Sequence, residues 1–348
     1  MVGERIKQAR LMRRISLRAL AGELGLSATA ISKYEQGAVT PGSKTLLQLA
    51  RALDVGVEFF VRPTLVGEVV PTFRKKSCLG RKEEAAMLAS IRDWLERYLE
   101  TESIVSLQPP SFAFPKGFPR KLEAIDEVEQ AAVDLRLAWQ LGLDPIESLV
   151  QLGEDKGIKV LLIEGERAFD ACTFRAGTDG SLPVIALRKD LPGDRMRFSL
   201  AHELGHLLLE INEEESAEKV ANRFAGALLV PEEVARFELG EHRRRLDFYE
   251  LHLLKHKYGL SMQAWIYRAK DLGIISYSRF RSLCKEFRAR GWHAEEPGDA
   301  YPAEHPVRFE VLVMQALAEG SISEKRAGEL LGRPFSEYKQ EVSREHEG

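Results

Sequence analysis

Cysteine is scarce: three residues in 348, at Cys78, Cys172 and Cys284, with no C-x-x-C pair and no even-numbered framework. That spacing excludes a disulfide-stapled scaffold and a cysteine-based zinc ribbon. It reads as buried small apolar side chains in a reducing compartment. Long apolar runs are also missing. No uncharged stretch approaches the ~18 residues of a membrane span, and the N-terminus lacks the apolar core of a secretory signal. A soluble, cytoplasmic protein is expected. The net charge of −3 excludes a global attraction to nucleic acid or lipid, but the charge is unevenly spread. Residues 1–76 hold 13 Lys+Arg against 6 Asp+Glu, a surplus of +7 that leaves −10 on the remainder. A basic head on an acidic body fits a local nucleic-acid module.

The length suits two or three domains, and 44 % hydrophobic residues can fill their cores. Punctuation divides the chain at 1–66, 67–120, 121–285 and 286–348. In the head, Ile6, Ala9 and Arg10 lie on a first helix over 2–13. Ser16 can cap a second over 17–24, ended by Gly25, and Ser27 a third over 28–35, closed by Gly37. Pro41-Gly42-Ser43 opens a fourth, with Leu46, Leu47, Leu49, Ala50 and Leu53 as its apolar stripe. Short helices joined by three- to four-residue turns form the helix-turn-helix pattern; the bland alternative is a helical bundle that binds protein. The run SLRALAGELGLSATAISKYEQGAVTP, with Ala21, Gly25, Ile31, Glu35 and Gly37, resembles the Cro/repressor-like (XRE) family. That resemblance implies Ala28, Thr29, Ser32 and Lys33 in the major groove of a double-stranded DNA operator. Gln36 adds a polar group, and the N-terminus of the second helix, at Ser16, approaches a phosphate, with Ser27 heading the recognition helix. Leu17 stands where the family often has Gln, and leucine cannot donate a hydrogen bond there. Such heads read palindromes as dimers, so a homodimer is expected.

Residues 61–78 are irregular and end in the basic Arg74-Lys75-Lys76. Residues 81–99 carry Ala85, Ala86, Leu88, Ile91, Trp94, Leu95 and Leu99 at helical spacing, which predicts an amphipathic helix packed on a core. Residues 105–120 hold four prolines and read as extended. Helices are predicted over 125–141 and 145–153. Strands follow at 158–163, 169–174 and 183–187 (PVIAL), the last two separated by Gly177-Thr178-Asp179-Gly180. Together they predict a small antiparallel sheet with PVIAL as the edge that takes an extended peptide by strand addition. The fold class is α+β: an all-α head, a catalytic domain with this sheet, and a C-terminal helical cap over 306–341 beyond a loop at 288–306.

Residues 197–231 carry the chemistry. His202-Glu203-Leu204-Gly205-His206 puts two imidazoles one turn apart on one helix face. They can grip one metal ion while Glu203 takes the proton of a water in the open position. A second helix over 217–229, stopped before Pro231, offers Glu218 as third ligand and Asn222, one turn on, as hydrogen-bond partner of a ligand imidazole. Glu213, Glu214 and Glu215 are rival ligands in the intervening loop. The runs at 197–206 and 218–231 resemble the ImmA/IrrE family of metallo-endopeptidases. The likeness implies a gluzincin-like core, with Zn2+ on His202, His206 and Glu218 and Glu203 as general base. Arg268, Tyr258, Tyr267 and His256 are open candidates for steadying an oxyanion. His242, His252 and His256 read as a charged, solvated face. The whole reads as a DNA-binding zinc endopeptidase that cuts a repressor or partner protein. The alternative is a transcriptional repressor, or the antitoxin of a toxin, whose metal site is regulatory or inactive.

Overall fold

The computed structural model describes residues 2–64, 66–67, 69–71, 80–105, 110–165, 169–177, 180–211 and 214–346. Cys78, the basic triplet Arg74-Lys75-Lys76, Thr178-Asp179 and Glu213 lie outside the described residues. No helix among the described residues is long and apolar enough to cross a membrane.

The head is four helices, α1 (Val2–Met12), α2 (Leu17–Leu24), α3 (Ala28–Glu35) and α4 (Ser43–Leu53), followed by a 3-10 turn at Val57–Phe60. Its caps are those the serines announce. Ser16 Oγ accepts from Ala19 N and Ser27 Oγ from Ala30 N, each at 3.1 Å, and Gly25 ends α2 at φ +64. Ile6, Ala9, Leu20, Ile31, Leu49 and Phe60 make the head's own core. Arg10 forks onto Glu35 at 2.6 and 2.9 Å and ties α1 to α3.

Beyond the head come β1 (Val70–Pro71) and α5 (Arg81–Val105), the longest helix. It runs six residues past the end that its apolar periodicity predicts. The extension is held by polar contacts that periodicity does not count: Glu102 accepts from Lys159 Nζ at 2.5 Å, Thr101 Oγ1 donates to Arg97 O at 2.8 Å, and Glu100 pairs with Arg326. One side of α5 packs on the sheet through Ile91 and Leu95. Tyr98 and Val105 pack against the C-terminal helices. Arg5 of α1 forms a buried ion pair with Glu96 and donates to Pro63 O at 2.6 Å, which bolts the head to the same helix.

The next elements are β2 (Arg120–Lys121), α6 (Glu127–Ala138) and α7 (Leu149–Asp155). Helix α6 stops three residues early because Gln140 and Gly142 take positive φ, and α7 begins only after Ser148 caps it. Strands β3 (Lys159–Ile163), β4 (Ala171–Ala176) and β5 (Leu182–Arg188) form a sheet in the order β1-β4-β5-β3. This corrects two expectations. The sheet is mixed, with β3 parallel to β5 and β4 antiparallel to it. PVIAL is its interior, not its edge. Val184, Ile185, Ala186 and Leu187 are all fully buried, and an apolar run without alternation needs cover on both faces and both sides.

Helix α8 (Gly193–Leu208) crosses the sheet, followed by β6 (Leu209–Glu210), α9 (Glu214–Leu229), α10 (Glu232–Leu239), α11 (Phe248–Tyr258), α12 (Met262–Asp271) and α13 (Tyr277–Ala289). The residues after α13 form a loop, as expected, but one sewn to the domain. Glu296 accepts from the Met262 and Gln263 amides at 3.0 and 2.9 Å. Glu304 accepts from Val150 N at 2.7 Å and pairs with buried Arg197. The chain ends in α14 (Arg308–Ala318), α15 (Glu324–Leu331) and α16 (Phe335–His346).

Glu154 of α7 sits under the start of α14, accepting from Val307 N and Arg308 N at 3.2 and 3.3 Å. Burial pushes its carboxyl up to about 7, while those two amides and the Arg308 charge pull the other way. A raised carboxyl favours the folded state when protonated. Its contribution is therefore full below the ordinary glutamate range and is lost as pH rises through about 7. Thermal unfolding of the whole chain between pH 5 and 8 should lose on the order of 3 kcal/mol from this group. Glu154→Gln should flatten that slope.

Candidate metal centre

Helix α8 is buried along almost its whole length. Gly193 opens it where a side chain cannot fit: a Cβ there would stand 1.9 Å from Pro302 O. One and a half turns before its end, His202 and His206 stack edge-to-face with ring centroids 4.6 Å apart. Their Nε2 atoms are 3.0 Å apart.

Glu218 reaches them from the first turns of α9. Its Oε1 is 3.3 Å from His206 Nε2 and its Oε2 is 3.7 Å from His202 Nε2. The approach depends on Gly205. A Cβ on Gly205 would lie 3.1 Å from Ala221 Cα and 3.2 Å from Phe224 Cδ1, so the two helices touch backbone to backbone there. The three side chains form the group of possible metal ligands found among the described residues, with all ligand atoms within 4.8 Å of one another. Donors about 2.0–2.2 Å from a tetrahedral zinc ion stand about 3.3 Å apart. The three separations scatter around that value, and the donor set of two imidazoles and a carboxylate suits the ion. Of the rival ligands, Glu214 and Glu215 stand in the first turn of α9 rather than in a loop.

Two further contacts fix the cluster. Asn222 Oδ1 lies 3.0 Å from His202 Nδ1. An amide oxygen only accepts, so the ring proton sits on Nδ1 and the Nε2 lone pair faces Glu218 and His206. Thr173 Oγ1 of β4 donates to Glu203 Oε2 at 2.8 Å, and both residues are buried. Sequence reasoning missed Thr173. A lone threonine in an apolar strand carries no spacing signal, and only the packing of α8 on β4 brings it to the carboxylate.

Two of the oxyanion candidates, Arg268 and Tyr258, are engaged in other polar contacts. Arg268 is buried, donates to Val230 O at 2.9 Å and forks onto Glu129 at 2.6 Å to each oxygen. Burial alone would raise the Glu129 carboxyl, but Arg268 and Arg223 bring it below its ordinary value. This knot clamps α6, α9 and α12 behind the metal ligands. Tyr258 donates to Glu238 at 2.7 Å, and Tyr267 meets Phe280 edge-to-face near the surface. His256 lies exposed beside His252. His252 itself is half-buried under Gly298, not solvated.

In the head, Thr29, Lys33 and Gln36 are exposed along α3, with Ala28 and Ser32 half-covered. Gln36 Nε2 donates to Ser32 Oγ at 3.2 Å. Ser16 and Ser27 spend an oxygen lone pair each on capping and keep their hydroxyl protons. Leu17 packs against the head core.

Two stretches of the chain match known families. Residues 155–270 match the family described as the IrrE N-terminal-like domain, peptidase M78, and residues 6–60 match the helix-turn-helix family. A relative in Bacillus subtilis (strain 168), the SPbeta prophage-derived uncharacterized HTH-type transcriptional regulator YonR, is 36 % identical over 64 residues. That stretch is 18 % of this chain and 59 % of the relative, so the chain spans less than two thirds of the relative's length.

Removing a ligand should remove the ion. Glu218→Ala and His202→Ala are expected to abolish stoichiometric zinc in a chelator competition, and Asn222→Ala to weaken it about 10–100-fold. Gly205→Ala should also weaken it while costing about 1–3 kcal/mol of stability, because its methyl pushes α9 away. Full zinc occupancy in Glu218→Ala would contradict the assignment. The chain thus joins a head that matches the XRE-type helix-turn-helix family to a metallopeptidase-like domain that matches the IrrE N-terminal-like family.

Proposed function

We propose that the protein is a zinc-dependent endopeptidase carrying its own DNA-binding head, which regulates transcription by cutting a repressor or partner protein. The observation behind this reading is the meeting of His202, His206 and Glu218 at 3.0–3.7 Å, with Glu203 beside them. Zinc on those three side chains, when bound, supplies a Lewis acid and brings the pKa of water near 7. Glu203 then takes a proton from the attacking water and returns it to the leaving nitrogen. Thr173 holds Oε2 of that carboxylate, which leaves Oε1 to take the proton in this reading. Asn222 keeps the His202 ring in the tautomer that a ligand needs.

The head supplies location. Thr29, Ser32, Lys33 and Gln36 offer polar groups for the major groove, and the surplus positive charge of residues 1–76 binds phosphates in a salt-dependent way. A palindromic operator and a cytoplasmic homodimer belong to the same reading. The second reading, a repressor or antitoxin whose metal site is regulatory, is favoured by the likeness to the Bacillus transcriptional regulator.

The zinc-loaded chain, incubated with itself and with the product of a neighbouring gene, should yield defined fragments. Glu203→Gln should slow their formation at least about 10²-fold. Fragments at equal rates, or none from any partner, would count against the peptidase. In the second reading Glu203→Gln leaves operator control intact, and Thr29→Ala with Lys33→Ala abolishes it.

A further inference from the structure

Strand β4 has two sides, and both are taken. One pairs with β5. The other pairs antiparallel with β1, Val70 opposite Arg175 and Pro71 opposite Phe174. Without β1, that side would be the open edge of the sheet. The next residue along β4 after Phe174 is Thr173, which holds the Glu203 carboxylate. Among the described residues, the pairing of β1 therefore comes within one row of Thr173.

An unpaired strand edge beside a reacting centre is where an extended peptide lies, because its main-chain amides and carbonyls can continue the ladder. β1 belongs to neither matched domain: it falls between residues 6–60 and 155–270. It is added to the peptidase by the connection from the head. The connection is seated firmly ahead of the strand. Val66 and Val69 are buried among Ile91, Leu95, Phe174 and Val184, and Arg92 donates to Val66 O at 3.0 Å.

We propose that the outer edge of β4 is the peptide-binding edge and that β1 occupies it as an internal competitor, so that an extended substrate binds only when β1 leaves. The proposal rests on the peptidase reading for its consequence but not for its test. β1 competes for main-chain hydrogen bonds, not for the metal. The partner selected is thus an unfolded or extended polypeptide segment, which offers a run of free amides, and not a folded surface.

The test uses the full zinc-loaded chain with Glu203→Gln, so that nothing is cut, and fluorescein-labelled casein as an extended polypeptide probe read by anisotropy. In a background with the three native cysteines changed to alanine, Val70→Cys with Arg175→Cys places two thiols directly opposite in an antiparallel ladder, within disulfide reach. The oxidised form should bind casein at least tenfold more weakly than the same sample reduced. Val66→Asp with Val69→Asp, which unseats the connection, should bind at least tenfold more tightly than its parent, with slowed amide exchange at residues 171–175 on binding. If the valine variant misfolds, the oxidised and reduced pair still decides, being one folded chain. Equal binding in the two redox forms overturns the proposal. Restoring Glu203 separates the two readings. Redox-dependent binding without cleavage upholds the competitor and sinks the peptidase, whereas cleavage at equal rates in both forms sinks the competitor alone.

Discussion

The approach of α9 to α8 over Gly205 is the constraint on which the candidate metal centre depends. Two histidines on one helix fix two donors at a spacing set by the helix itself. The third donor must come from elsewhere, and a side chain on Gly205 would press on Ala221 and Phe224 of the helix that carries Glu218. The rest of the domain braces that contact. Phe224, Ala225 and Leu228 are fully buried behind it. Arg268 and Glu129 clamp the far end of α9 to α6 and α12. Arg136 ties α6 to the same end of α9 through Leu228 O, at 2.6 Å. The glycine creates the site and the buried arginines keep it from relaxing, since a buried guanidinium stripped of its partners costs several kcal/mol.

A second set of buried charges converges on α5, two of them from the head and one from the sheet. Arg5–Glu96, Arg62–Asp93 and Lys159–Glu102 all involve α5. Burial lowers the Lys159 ammonium below its ordinary value despite Glu102. Such pairs add little net stability over an apolar packing, but once formed they admit one arrangement, because each partner left alone is strongly penalised. Helix α5 thereby acts as a shared spine against which head, sheet and C-terminal helices are all registered. Its acidic residues answer the basic head, which is the uneven charge of the sequence seen in three dimensions.

Local signals were legible and non-local ones were not. The helix limits of the head follow from Ser16, Ser27 and Gly25, because a cap is decided by a few neighbouring residues. The metal ligands lie within seventeen residues of one another, on helices whose faces follow from spacing. PVIAL was misplaced because strand order depends on partners far along the chain. An unbroken apolar run says that a strand is covered, not what covers it. The last turns of α5 were missed because their burial is polar, through Glu102 and Thr101. Thr173 and Arg268 are legible only once β4 meets α8 and α12 meets α9.

The stretch between head and α5 concentrates these couplings in ten residues. At its start Arg62 pairs with Asp93, and Pro63 O accepts from Arg5 of the head. In its middle Val66 is bonded to Arg92 and buried against α5 and the sheet. At its end β1 is laddered onto β4 beside Thr173. A shift of α1 against α5 strains Arg5–Glu96 and the Pro63 contact first, and the next anchors along the chain are those that hold β1. Two residues of β1 are among those described, paired to Arg175 and Phe174, and each ladder hydrogen bond is worth about 0.5–1.5 kcal/mol net. The anchors upstream are buried ion pairs whose breakage costs about 3–5 kcal/mol. Among the described residues, the weakest anchor between the helix-turn-helix head and the candidate metal centre is therefore the strand itself. It is the element that a docking event on the head, or a competing peptide at the sheet, displaces before anything else in the connection yields.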